Sequence, residues 1–144
     1  YMQVTGVQTC ALPIWCFRED TGIFGRLKVR QNVSAVTAAV LMIKKSVYLE
    51  VEGLDEEMFK VAFNDIDLCM KVISAGYEII WTPYSELYHY ESKSRGSENT
   101  PEKYKRFQNE IRNFDKKWGM WLKDPFYNEN LDLLKTYPVV KQED

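Results

Sequence analysis

Histidine is nearly missing from this chain: His89 is the only one among 144 residues. A metal centre assembled from several imidazoles is thereby excluded. Cysteine is scarce as well. Cys10, Cys16 and Cys69 form an odd set without CxxC spacing, which argues against a disulfide framework and a zinc ribbon and fits a reducing, cytoplasmic setting. No sign of charge dominates. The formal net charge is -2, with Lys and Arg interleaved among Asp and Glu, so nucleic acid is not an expected partner. Long apolar runs are absent too. The longest, Val33 to Ile43, is broken by Ser34 and Thr37 and falls short of the roughly 18 residues that read as a transmembrane helix. There is no internal repeat and no low-complexity tract. Residues 1–14, YMQVTGVQTCALPI, lack the charged start and clean cleavage pattern of a signal peptide. They resemble translated sequencing-adapter sequence and are read as a non-native extension. On that reading the natural protein continues upstream of residue 15.

What is present suits a globular unit or part of one, with a hydrophobic content of 45%. Cys16 to Gln31 is polar, carries Gly22 and Gly25, and reads as loop. The β-branched, apolar stretch NVSAVTAAVLMIKKS, residues 32–46, reads as a buried strand, with Ala38 and Ala39 leaving helix as the alternative. Ser46 to Val51 fits one or two helical turns stopped at Gly53, followed by a partly ordered loop. A short amphipathic helix is expected over 65–75, with Asn64 as N-cap, Ile66, Cys69, Met70 and Ile73 at helical spacing, and Gly76 as a left-handed C-cap. YEIIWT and SELYHY are extended segments around Pro83. Residues 91–100 are a polar, glycine-containing loop by composition. Thr100 and Pro101 open a long helix with Tyr104, Phe107, Ile111, Phe114 and Trp118 along one face. The remaining tail shows no sustained period and is expected to lie extended over the surface.

Alternating strands and short helices indicate an α/β arrangement, in which ligands bind beyond the carboxyl ends of the strands. Asp65, Asp67 and His89 fall near such ends. Each also has a plainer explanation. Acids in the first turn complement the helix dipole, and a lone histidine on a strand is commonly half buried and inert. The aromatic cluster Trp81, Tyr84, Tyr88 and Tyr90 suits either stacking on a sugar or core packing.

The joint pattern says more. Val36-Thr37-Ala38, Gly53-Leu54-Asp55-Glu56, Asn64-Asp65-Ile66-Asp67, Ala75-Gly76-Tyr77 and His89-Tyr90-Glu91-Ser92 occur in that order. Together they resemble the carboxyl-terminal half of family-two glycosyltransferases of the GT-A fold. There an SAVTgA strand precedes a GGfDE turn, an EDvDlc helix start, an aGy helix end and a tPyaeLyHhES strand. The resemblance runs from about Asn32 to Leu131, and the late DPFYNENL resembles a DPyYNpNL tail of a bacterial subgroup. It implies a partial GT-A sheet with flanking helices, lacking its amino-terminal half, in which residues 15–144 are the acceptor-side part of the transferase domain.

The resemblance also implies roles. Asp65 becomes the catalytic base, His89 a ligand for Mn²⁺ or Mg²⁺, and Lys93 and Arg95 a lid over the donor phosphates; a solvated basic loop is the alternative for the last two. Thr37, Ala38, Gly53, Asp55, Asp67 and Trp81 fall in the donor or acceptor pocket. The expected partners are a nucleotide-sugar donor and a glycan acceptor, in the cytoplasm or at the cytoplasmic face of the membrane. Asn64 departs from the family's glutamate and Tyr90 from a common second histidine. The nucleotide-binding half with its Asp-x-Asp has no counterpart here, so the isolated chain is expected to be inactive. The competing readings are a carbohydrate-binding module without chemistry and a structural interaction domain.

Overall fold

A computed structural model describes residues 21–85, 100–119, 124–131 and 139–140. Its elements are a 3-10 helix Ile23–Lys28, strand β1 Gln31–Asn32, a 3-10 turn Ala38–Val40, helix α1 Lys45–Glu50, helix α2 Asn64–Ser74, strand β2 Ile80–Trp81 and helix α3 Pro101–Trp118. β1 and β2 pair antiparallel, with Gln31 opposite Trp81 and Asn32 opposite Ile80. The pairing extends one step further through the Val33 amide, which donates to the Ile79 carbonyl at 3.0 Å.

The apolar run after Asn32 does not continue as a strand. Thr37 Oγ1 accepts the Ala39 amide and starts a 3-10 turn. The Ala38 amide donates to a side chain of α2. With the Ala39 amide held by Thr37 and the Ala38 amide by α2, no ladder forms over 36–40, which corrects the strand expectation there. The loop expected before Gln31 likewise contains the 3-10 helix Ile23–Lys28.

α2 holds the core together by its two inward faces. Cys69 and Ile66 pack with Leu27, Val33, Ala35 and Trp81. Leu68 and Val72 pack with Val47 and Val51 of the α1 region. Leu41 and Ile79 contact both groups, so the helix is the shared wall of two small clusters. Gly76, at φ +85, follows α2 where a left-handed residue ends a helix, and its amide donates to the Ile73 carbonyl.

The start of α2 differs from expectation. Phe63, not Asn64, is the N-cap; it sits in the left-handed region at φ 64 and provides no side-chain cap. Such a conformation costs about 1–2 kcal/mol for a residue with a Cβ. The offset is tertiary: the Phe63 ring stacks on Phe114 at 5.1 Å and on Phe107 at 5.9 Å.

α3 begins as its sequence implies. Thr100 Oγ1 accepts the Lys103 amide at 3.4 Å, Pro101 occupies the first turn, and Gly119 follows at φ +70. The buried residue of this helix is Glu110, 3% exposed. Of the expected apolar face, Phe114 and Trp118 are half-buried while Tyr104, Phe107 and Ile111 are more exposed, and a row of polar contacts described below adds to the docking of α3. In the tail, residues 124–131 form two turns closed by Tyr127 to Asp124 and Leu131 to Asn128 backbone bonds, rather than lying extended. Ser34, itself buried, donates to Asp124 Oδ1 at 2.6 Å and fastens that tail to the strand region.

Candidate functional site

Asp65 stands in the first turn of α2 and is half-buried. Its Oδ2 accepts the Ala38 amide at 3.2 Å and its Oδ1 the Ile66 amide at 2.9 Å. Each carboxylate oxygen thus retains acceptor capacity toward the open side. One helical turn on, Cys69 Sγ lies 3.5 Å from the Val36 amide and 3.7 Å from the Val36 carbonyl. Two contacts from α2 therefore hold the Val36-Thr37-Ala38 segment, and they bring together residues 27 and 33 apart in sequence.

Asp67 occupies the opposite situation. It is 0% exposed. Its Oδ1 accepts Trp118 Nε1 at 2.8 Å and pairs with Lys117 Nζ at 2.8 Å. Its Oδ2 faces Lys71 Nζ at 3.5 Å and makes no hydrogen bond among the described residues. A buried carboxylate requires such pairing, since an isolated one is strongly disfavoured. Asp67 is thus enclosed, and its position lets it organise neighbours rather than touch a ligand directly.

Those neighbours form the Gly53–Glu56 turn. Lys71 Nζ donates to the Gly53 carbonyl, and Lys117 Nζ reaches Asp55 Oδ2 at 3.2 Å. Asp55 Oδ1 accepts the Met58 amide at 2.9 Å. That amide holds the Asp55 carboxyl below the ordinary carboxylate range; burial works against it, and Lys117 reinforces the lowering. For Lys117, burial pulls the ammonium down, but hydrogen bonds and charge from Asp67 and Asp55 outweigh it and leave its pKa raised. The ammonium also lies 5.5 Å from the Phe59 ring centroid and 5.6 Å from that of Trp118, within cation–π range.

α3 supplies the rest of the frame. Glu110 accepts the Ala62 amide at 2.8 Å and the Val61 amide at 3.3 Å, and Asn113 Nδ2 donates to the Met58 carbonyl at 3.0 Å. Glu110, Asn113 and Lys117 recur three and four apart and line one side of the helix, with Trp118 adjacent to Lys117.

Of the site residues expected from sequence, Asp65, Thr37 and Ala38 meet in one place, with Ala38 bonded to the carboxylate. Asp67, Asp55 and Gly53 meet in another, joined through Lys71 and Lys117. Trp81 is buried in the core, while Tyr84 is 77% exposed and available for stacking. His89, Lys93 and Arg95, and with them Tyr88 and Tyr90, lie outside the described residues. Sequence reasoning did not single out Lys71, Glu110, Lys117 or the αL Phe63. The Asp67 to Lys71 spacing of four was a readable signal for one of them; the others depend on contacts across the fold. Among the described residues there is no cluster of three or more His, Cys, Asp or Glu suited to a metal, and none of their helices is long and apolar enough to cross a membrane.

Comparison with known proteins adds a coarse context. The chain is 54% identical over 116 residues to the uncharacterized protein y4gI of Sinorhizobium fredii, an alignment covering 80% of this chain and 13% of that protein. It is 28% identical over 131 residues to the O-antigen biosynthesis protein RfbC of Myxococcus xanthus, covering 86% of this chain and 10% of that protein. The chain therefore matches only about a tenth to an eighth of the length of these curated relatives. No family model and no solved structure matches it.

Proposed function

We propose that this chain is the acceptor-side part of a family-two glycosyltransferase of the GT-A fold, working within a longer polypeptide in polysaccharide synthesis. The observation that carries the reading is the Ala38 amide to Asp65 carboxylate bond at 3.2 Å, which joins two of the motif segments in one half-exposed place. The similarity to an O-antigen biosynthesis protein supports the substrate class. On this reading Asp65 is the base. The acceptor oxygen bonds to the anomeric carbon, the bond to the nucleotide diphosphate breaks with its electron pair leaving on the diphosphate, and the acceptor proton passes to Asp65.

The backbone amides of Ala38 and Ile66 orient the carboxylate and leave room for the acceptor hydroxyl on each oxygen. A divalent cation, if used, would neutralise the departing diphosphate. The described residues alone do not form its ligand set, so His89 and groups from the remainder of the polypeptide would have to provide it. Lys93 and Arg95 are proposed to close over the donor phosphates.

The deciding experiment is Asp65→Asn in the full-length protein. Turnover should fall by about 10²-fold or more while nucleotide-sugar affinity is nearly unchanged, the scale of losing a general base. Normal turnover in that variant would remove Asp65 from the role.

A further inference from the structure

We infer that Lys117 and Trp118 are positioning residues for Asp65, acting through the buried Asp67; this rests on the reading of Asp65 as the base. Among the described residues Asp65 itself is bonded only to the Ala38 and Ile66 amides, so α3 does not touch it by hydrogen bonds. Yet α3 fastens the chain on both sides of it. Before Asp65, Glu110 clasps the Val61 and Ala62 amides, and Phe107 and Phe114 hold the ring of the left-handed Phe63. After Asp65, Lys117 and Trp118 both grip Asp67 Oδ1 at 2.8 Å.

The helix geometry makes the second grip directional. Residues two apart on an α-helix point about 200° apart around its axis. Fastening Asp67 inward toward α3 therefore turns Asp65 outward, onto the Val36-Thr37-Ala38 segment. Rotation of the first turn that withdrew Asp67 from Trp118 would swing Asp65 off the Ala38 amide. Asp67 has no exposure through which to contact a ligand. Apolar packing could fill its place without the desolvation of a charge, but it would not set this rotation through directed hydrogen bonds.

Trp118→Phe keeps an aromatic side chain but removes the indole N–H that Asp67 accepts, together with the pyrrole part of the ring. Amide hydrogen exchange by NMR on the whole 144-residue chain gives a readout independent of activity. The Ala38 and Ile66 amides should exchange about 10-fold faster, with a changed Asp65 carboxyl carbon shift, while the distant Val33 and Tyr77 amides stay within about 2-fold. Lys117→Met should act on the same amides, and Lys117→Arg should restore them to within about 2-fold of the unaltered chain. Equal acceleration at all four amides would reduce the contact to general stability and overturn the proposal, as would unchanged Ala38 and Ile66 signals. In the full-length protein, Trp118→Phe should lower kcat about 10-fold with KM within about 2-fold. If Asp65→Asn leaves turnover normal, the base reading fails while the exchange data still decide whether α3 positions Asp65.

Discussion

Glu52 and Gly53 are neighbours in the left-handed backbone region, at φ 60 and +57, and substitutions at the two should move stability in opposite directions. A Cβ on Gly53 would lie 2.7 Å from Tyr48 Cζ, and the Tyr48 hydroxyl is itself engaged by the Leu54 amide. Gly53→Ala should therefore cost about 2–3 kcal/mol, from the αL conformation and the displaced ring together. Glu52 is exposed and strained only in its backbone. Glu52→Gly should raise stability by about 0.5 kcal/mol, the αL cost removed less the added freedom of the unfolded chain. Urea unfolding midpoints for the two variants test both signs.

Asp55 gives a pH dependence at the same scale. Its folded pKa lies below the ordinary 3.8, so its contribution is fully present above that value and is lost as pH falls through the lower folded value. The pair with Lys117 is partly exposed, which limits the contribution to about 1 kcal/mol or less. Asp55→Asn should lower the urea midpoint at about pH 6 and differ much less from the unaltered chain at about pH 2.5. An equal gap at both values would place the stabilisation elsewhere.

At the scale of elements, α3 is joined to the 58–67 region by polar atoms more than by its apolar stripe. Glu110 is 3% exposed and accepts two backbone amides. Glu110→Ala would leave those donors without their acceptor and should destabilise by about 2–4 kcal/mol. Glu110→Gln keeps one acceptor oxygen and should lose about half as much. Denaturant titrations of the pair separate hydrogen bonding from side-chain volume: similar losses in the two variants would assign the effect to charge alone. Because Phe63 is left-handed and uncapped, loosening α3 should also fray the start of α2 first, before the core around Cys69 and Trp81.

For the whole molecule, the open side matters. A groove of about 140 Å³ lies between Val36 and residues 41–43, Leu68, Cys69 and Val72 of α2, and residues 78–80. Met42 at its rim is 99% exposed and Ile80 57% exposed. Apolar surface beside a short sheet promotes association. The 144-residue chain should therefore self-associate as its concentration rises, and Met42→Lys with Ile80→Lys should shift sedimentation velocity profiles toward monomer. Profiles identical before and after the substitutions would show that this face does not drive association.

Sequence alone determined the features written in local chemistry. Thr100 and Pro101 open α3, Gly76 ends α2, and Asp65 belongs to the first turn of α2 because caps, proline and a left-handed glycine act within a few residues. The motif order likewise brought Ala38 and Asp65 under suspicion before their contact was visible. Tertiary structure decided the rest. Phe63 became the N-cap because two rings of α3 hold its left-handed backbone, and residues 36–40 left the strand because a distant carboxylate took the Ala38 amide. Glu110 was buried beside the apolar stripe, where it accepts two backbone donors of another segment. Asp67, read beside Asp65 as one acid of a pair, turned inward to Lys117 and Trp118. Hydrophobic periodicity records which residues can be buried, whereas these choices depended on which buried polar groups would otherwise remain unpaired.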